Sequence, residues 1–339
     1  MGLRCHQPSV PLKSKIVVSS EEKQRGVHVF GRIDSMGLVE LEALNAEWIT
    51  LVPYAGQTDV DSPEVRFSRS NDPERMKRQN ERWISAITRA HDAGFNVFLK
   101  PHIWIRNPSD GKWRSDIYFE DEEEWNTWKT SYKNFILHYA KMAQEANVEM
   151  FCIGTEFTKL SMEKPDFWRE IIKEVKLVYS GKLTYAANWY EEYESVSFWE
   201  ELDFIGIQAY FPISKNNTPS VSDLNEAWKS KIDHFVQQSE LYEKPILFTE
   251  LGYKSTTDAT VTPWEWVDYM NDSKYELSYE TQVNAYTALF ETIWDEDWFA
   301  GIHLWQWRTD GRERGDRHKI DFSPKGKPAE AIITEGFNQ

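Results

Sequence analysis

Eight short apolar runs recur along the chain, separated by longer stretches in which apolar residues return every three or four positions. The runs occupy residues 26–32, 48–54, 96–104, 149–156, 183–189, 204–210, 245–250 and 300–307. Several, such as Val97-Phe98-Leu99 and Ile246-Leu247-Phe248, are apolar at consecutive positions, as strands covered on both faces are. The intervening periodicity predicts helices over 72–93, 121–146, 167–179, 222–241 and 279–293, with shorter ones near 38–45 and 196–201. Strand and helix alternating in this way predict the α/β class and a single closed (β/α)8 TIM barrel. An open doubly wound sheet is disfavoured, because the first run holds only Gly26 and Gly31 and no Gly-x-Gly-x-x-Gly turn.

The connections are lopsided. Those from helix to strand are short, as at Asn147-Val148, Gly181-Lys182 and Glu243-Lys244, while those leaving strands are long, at 55–71, 105–120, 211–221, 251–278 and 308–325. In barrels the loops after the strands build the active face, so elaboration there predicts an extended binding cleft. Trp113, Trp264 and Trp266 fall in these loops and are expected to line it.

No Ser/Gly/Pro-rich linker divides the runs, so the 339 residues read as one barrel domain, 25–339, behind a tail, 1–24. The tail carries Arg4, Lys13, Lys15 and the short apolar Ile16-Val17-Val18, without the continuous apolar core of an intact signal peptide. It reads as the remainder of an export segment at most, and no function is taken from it. A formal charge of −16 argues against a basic face for nucleic acid. No run approaches the ~18 apolar residues that span a bilayer, so no transmembrane segment is expected. Two cysteines, Cys5 and Cys152, make neither a disulfide scaffold nor a cysteine-rich metal site. The histidines are scattered without His-Glu-x-x-His spacing, so no metal and no cofactor is expected. The aromatic content, 16 Trp, 15 Tyr and 18 Phe, exceeds what a routine core asks for and turns attention to the strand ends.

On the fourth run a two-residue period puts Met150, Cys152, Gly154 and Glu156 on one side, small residues leading up to a carboxylate. The seventh run ends Phe248-Thr249-Glu250, again a carboxylate after apolar residues, which is costly unless paired or used. Either glutamate alone reads as a structural ion-pair partner. Two aimed at one axis match the cleavage of a glycosidic bond, where one carboxyl donates a proton and an ionised one about 5 Å away attacks the anomeric carbon in retaining enzymes. Other strand ends supply Lys100, His102 and Trp104 in phase with Phe98, then Asn188-Trp189, Gln208-Ala209-Tyr210, and His303, Trp305 and Trp307 in phase. Sugars offer apolar faces and hydroxyl edges, which tryptophan platforms ringed by Asn, His, Lys and Tyr match. Trp104, Trp305 and Trp307 are therefore assigned to the site, and Trp48, Trp83, Trp125, Trp128, Trp168, Trp228 and Trp294 to packing. His102 is read as a hydrogen-bonding member rather than a metal ligand.

These strand ends together resemble the retaining glycoside hydrolases of clan A, and within them most closely family 113, the β-mannanases, over residues 25–333. The carriers are Gly26-Val27-His28-Val29, Lys100-Pro101-His102-Ile103-Trp104, Phe151-Cys152-Ile153-Gly154-Thr155-Glu156, Ile205-Gly206-Ile207-Gln208-Ala209-Tyr210, Phe248-Thr249-Glu250-Leu251-Gly252-Tyr253 and Trp305-Gln306-Trp307. The resemblance implies Glu156 as acid/base and Glu250 as nucleophile. It also implies that Tyr210 orients the nucleophile and that Trp305 lies under the sugar being cleaved. Two positions depart from the general clan pattern: Thr155 stands where most members have Asn, and the second run closes with Val52-Pro53-Tyr54 where many place an Arg that keeps the nucleophile ionised. The first leaves Asn188 and Lys100 as candidates for the sugar 2-hydroxyl. The implied activity is double-displacement hydrolysis of β-1,4-mannosidic linkages in mannan, glucomannan or mannooligosaccharides. An exo-β-mannosidase, another clan A β-glycanase and a non-catalytic carbohydrate-binding barrel are the alternatives. The implied partner is a β-linked mannose-containing oligo- or polysaccharide, and a polymer-degrading enzyme is more often exported than cytoplasmic.

Overall fold

The computed structural model describes residues 16–67, 73–109, 111–309 and 316–339. Residues 1–15 of the sequence-assigned tail, Cys5 among them, lie outside the described residues. Among the described residues, ten strands run in chain order: β1 (Gln24–Phe30), β2 (Trp48–Leu51), β3 (Tyr54–Gln57), β4 (Asn96–Leu99), β5 (His102–Ile105), β6 (Met150–Thr155), β7 (Lys182–Asn188), β8 (Phe204–Gln208), β9 (Ile246–Leu251) and β10 (Phe299–Arg308). Eight of them close into a parallel barrel in the order β1-β10-β9-β8-β7-β6-β4-β2, as the apolar runs predict.

Two runs end earlier than their sequence pattern implies. The runs 48–54 and 96–104 break at Pro53 and Pro101, and beyond the prolines β3 and β5 leave the barrel sheet and pair with each other. The register is unbroken: Leu51 faces Leu99 below, Tyr54 faces His102 above, and the Lys100 and His102 amides donate to Leu51 and Pro53 carbonyls at 2.9 Å. Proline lacks the N–H that a barrel neighbour needs, so the pair peels away as a two-stranded ledge standing over the barrel mouth.

The helices are α1 (Ser35–Ala43), α2 (Pro73–Asp92), α3 (Glu122–Glu145), α4 (Thr158–Glu163), α5 (Pro165–Val178), α6 (Val221–Tyr242), α7 (Tyr279–Thr292) and α8 (Pro328–Phe337). Side-chain caps fix their starts: Asp121, Ser220 and Ser278 accept from backbone N–H groups in the first turns of α3, α6 and α7. The helix predicted at 196–201 is only a turn at Trp199–Glu201, while α4 and α8 were not predicted. The last helix closes the layer, its Phe337 carbonyl accepting from Arg25 Nε at 2.6 Å. No helix among the described residues is long and apolar enough to cross a membrane.

Between barrel and helices, Trp128, Trp168, Trp228 and Trp294 are fully buried, and Trp83 and Trp125 pack at the margin, as expected of packing residues. Trp128 stacks on Tyr132 with centroids 4.8 Å apart, and its indole N–H donates to Gln57 at 2.9 Å. Inside the barrel, Phe98, Met150, Cys152, Ala186, Leu247 and Ala300 form a small apolar plug. A polar layer shares this space: His303 joins Thr50 at 2.6 Å and Gln24 at 2.8 Å, and burial keeps both His28 and His303 well below the usual histidine pKa.

Candidate active site

Three barrel strands carry one residue more than their neighbour just before the mouth, and these irregularities decide what points inward. Along β9, Leu247 faces the plug and Phe248 the helices, so regular alternation would send Glu250 outward with Phe248. The pairing instead steps from Ile207↔Phe248 to Gln208↔Glu250, and the extra residue turns Glu250 to the axis. Along β6 the step is from Cys152↔Thr184 to Thr155↔Ala186. Gly154 is therefore not on the inward face with Met150 and Cys152: a Cβ there would meet the Trp168 ring at 2.6 Å, on the helix side. Glu156 reaches the mouth through a left-handed backbone, φ 56°, a conformation that costs a non-glycine residue about 1–3 kcal/mol and is found at functional sites. The third irregularity lies in β10, between Val27↔Leu304 and Val29↔Trp307.

At the foot of the mouth, Lys100 is fully buried and donates to Glu250 Oε2 and Gln208 Oε1, each at 2.7 Å, and to His28 Nε2 at 3.4 Å. Gln208, its carbonyl so oriented, gives its amide nitrogen to Glu250 Oε2 at 2.8 Å and to Glu156 Oε1 at 3.4 Å. One nitrogen thus touches both carboxylates, which holds those two oxygens no further apart than the sum of the two contacts. Tyr210 donates to Glu250 Oε1 at 2.6 Å. Burial pushes the Glu250 carboxyl up, but the Lys100 charge and hydrogen bond, then Tyr210 and Gln208, outweigh it and hold the group below its usual value.

Glu156 has a different partner. Arg114 binds its Oε2 at 2.8 Å through Nε, also donates to the Ile103 carbonyl at 3.0 Å, and lies over the Trp113 ring at 5.1 Å. Burial works against the Arg114 charge, and Glu156 followed by Glu250 more than restores it.

A cleft of about 760 Å³ opens above these groups. Eight of the ten sequence-assigned site residues line it: Glu156, Glu250, His102, Trp104, Asn188, Trp189, Tyr210 and Trp305. The loop tryptophans Trp113, Trp264 and Trp266 line it too, Trp264 stacked on Trp189 at 5.2 Å and Trp266 edge-on to Trp305 at 5.6 Å. Two buried ring nitrogens on the lining, His102 Nε2 and Trp305 Nε1, have no hydrogen-bond partner and are suited to sugar hydroxyls. Burial, then Arg114, Lys100 and His28, keep the His102 ring neutral.

Two assignments fall elsewhere. Lys100 sits beneath the cleft rather than on it, so it is closed to a sugar hydroxyl and supplies the cation that the second strand lacks. Trp307 is 1% exposed, packs in the barrel–helix core with its N–H toward Glu40 at 3.4 Å, and does not line the cleft, because the extra residue in β10 throws it out of phase with Trp305. Arg114 and the bridging role of Gln208 are the residues that sequence reasoning missed. Gln208 shares the phase of Tyr210, which is a usable signal, whereas Arg114 lies in a non-periodic loop with none. No cluster of three or more His, Cys, Asp or Glu able to hold a metal occurs among the described residues.

The sequence model of glycoside hydrolase family 113 matches residues 32–327. A solved complex of a family 113 β-1,4-mannanase is 28% identical, covers 94% of this chain and 99% of its own, and has a TM-score of 0.79. The family 113 β-mannanase AaManA from Alicyclobacillus acidocaldarius, in complex with ManMIm, is 28% identical over 93% of this chain and 97% of its own, with a TM-score of 0.77. The β-glucuronidase of Ruminococcus gnavus, 14% identical with a TM-score of 0.60, covers 93% of this chain and 50% of its own and shares the fold. A comparison with curated proteins gave no match.

Proposed function

The chain belongs to glycoside hydrolase family 113, and from that premise we propose that it is a retaining β-mannanase that cleaves β-1,4-mannosidic bonds by double displacement. The observation that carries this reading is the pair of unlike carboxylates bridged by Gln208: Glu250 is held ionised by Lys100 and aimed by Tyr210, while Glu156 faces it across one amide nitrogen. Glu250 Oε1 or Oε2 attacks the anomeric carbon as the bond to the leaving oxygen breaks. Arg114 occupies Oε2 of Glu156, which leaves Oε1, on the Glu250 side, to carry the proton given to that oxygen. Water then opens the glycosyl ester on Glu250, with Glu156 as base. The short span allowed by the shared nitrogen supports retention, since inverting pairs stand ~6.5–9.5 Å apart to admit a water between carboxylate and sugar. Trp305, packed beside Tyr210 and Phe322, is the platform under the sugar being cleaved, and Asn188 is the remaining candidate for its 2-hydroxyl.

A hydrolysis screen over mannan, glucomannan, cellulose and xylan tests the reading. Wild type should release products from the first two, and Glu156→Gln and Glu250→Ala should each lower turnover by several orders of magnitude while remaining folded. A 2-fluoro-mannoside should leave a covalent adduct on Glu250, visible by peptide mass analysis. Near-wild-type activity in either variant sinks the assignment, and product lengths from a labelled hexasaccharide separate endo from exo action.

A further inference from the structure

The open face of the β3/β5 ledge continues past the cleft. Side chains alternate along a strand, so β5 presents His102, Trp104 and then Arg106 on one face, while β3 presents Tyr54 and Gly56 opposite His102 and Trp104. Ala55, Ile103 and Ile105, on the other face, are buried against the body. Tyr54 and Trp104, ring centroids 6.3 Å apart, line both the catalytic cleft and a second cavity of about 520 Å³, within the ~300–1,000 Å³ of small-molecule sites.

This second cavity is built around guanidinium groups. Gly56 leaves the ledge bare where the Arg106 side chain crosses it: a Cβ at Gly56 would lie 2.5 Å from Arg106 Nε. Arg66 is fixed to the same glycine by a two-hydrogen-bond antiparallel bridge at 2.8 and 2.9 Å, and its Nε donates to Glu64 at 2.8 Å. Arg75, from the first turn of α2, completes the set, and Phe67 adds an apolar wall. No Asp or Glu stands among the described lining residues. In a chain of formal charge −16, a cavity contiguous with a sugar cleft and lined by three arginines, of which Arg66 is paired with Glu64, is a local field of opposite sign, and neutral mannose has no charge to pair with it.

We propose that this cavity is a subsite for an acidic sugar, a uronic acid carried by the β-mannoside chain that lies in the cleft. A uronate combines what the walls offer: a pyranose face for Trp104 and Phe67, and a planar carboxylate for the guanidinium forks of Arg75 and Arg106. The proposal rests on the β-mannanase reading and names a substrate class within it.

The test compares kcat/KM for two mannooligosaccharides of equal length, one neutral and one bearing a glucuronic acid residue, at low and high salt. Wild type should favour the acidic substrate about tenfold or more at low salt, and the preference should shrink as salt screens the arginines. Arg75→Gln and Arg106→Gln should each reduce the preference several-fold and leave kcat/KM for the neutral substrate unchanged, with circular dichroism reporting the fold. Equal kcat/KM for the two substrates in wild type, or a preference that survives both substitutions, overturns the subsite. If neither substrate is cleaved, the β-mannanase reading has failed, and calorimetric titration with the acidic oligosaccharide still decides the cavity. Binding lost in Arg106→Gln supports it, and binding equal in wild type and variant, or absent from both, overturns it.

Discussion

Lys100 Nζ stands 2.7 Å from Glu250 Oε2, the lysine side chain fully buried and the carboxylate 6% exposed. The cation that lowers the Glu250 pKa thus comes from the end of the third barrel strand, up through the floor of the site. Lys100→Met should move the acidic limb of the kcat/KM profile to higher pH. The same substitution strands a buried carboxylate, at a cost of about 3–5 kcal/mol in denaturant unfolding. Because the folded pKa of Glu250 is depressed, the stability it contributes is present above the usual carboxylate value and lost as pH falls through the folded one. In the variant that acid-range loss should disappear. An unmoved acidic limb would count against Lys100 as the controlling charge.

Tyr210 holds the other oxygen of Glu250 at 2.6 Å. Tyr210→Phe removes a hydrogen bond to a charged group, worth about 1.5–3 kcal/mol, so turnover on mannan should fall about ten- to a hundredfold with the fold intact. Turnover within a factor of two of wild type would show that Lys100 and Gln208 suffice to aim Glu250.

Glu192 is buried and accepts from Tyr185, Ser161, Thr158 and the Asn188 amide, while Tyr185 OH accepts from the Phe157 amide beside Glu156. Burial raises its carboxyl to about 7 despite these donors. A raised folded pKa means that its contribution to stability is complete below the usual value of 4.5 and lost as pH climbs through about 7. The span amounts to about 3 kcal/mol. Glu192→Gln should flatten the stability profile across that interval. Identical profiles in variant and wild type would remove Glu192 as the source.

Trp305 and Trp307 lie two apart in sequence and on opposite sides of the barrel wall. Trp305→Ala should raise KM and lower kcat/KM with a modest change in melting temperature. Trp307→Ala should cost about 3–5 kcal/mol of stability and leave the kinetics of the folded fraction alone. The reverse pattern would restore Trp307 to the cleft.

That pair shows what the sequence makes legible. A doubly covered strand is apolar at consecutive residues, so the positions of β4 and β9 can be read without tertiary information. Side-chain direction can be read only while alternation holds, and one extra residue in β6, β9 and β10 reverses it just where the chemistry begins. Glu250 and Glu156 reach the axis by a bulge and by a left-handed residue, neither of which a two-residue period contains. Arg114 meets Glu156 across a loop that packs according to Trp113 and Ile103, which no local pattern encodes.

Pro53 and Pro101 stand side by side at the line where barrel pairing stops and the ledge begins. They act as a perforation in the sheet. Below it, strand register is tied to the closure of the whole barrel; above it, the ledge strands pair with each other and, at Gly56, with Arg66, outside the barrel sheet. The wall that meets the far end of a substrate can therefore be lengthened, swapped or recharged by exchanging 54–57 and 102–106, while the Lys100, Gln208 and Glu250 geometry keeps its own frame.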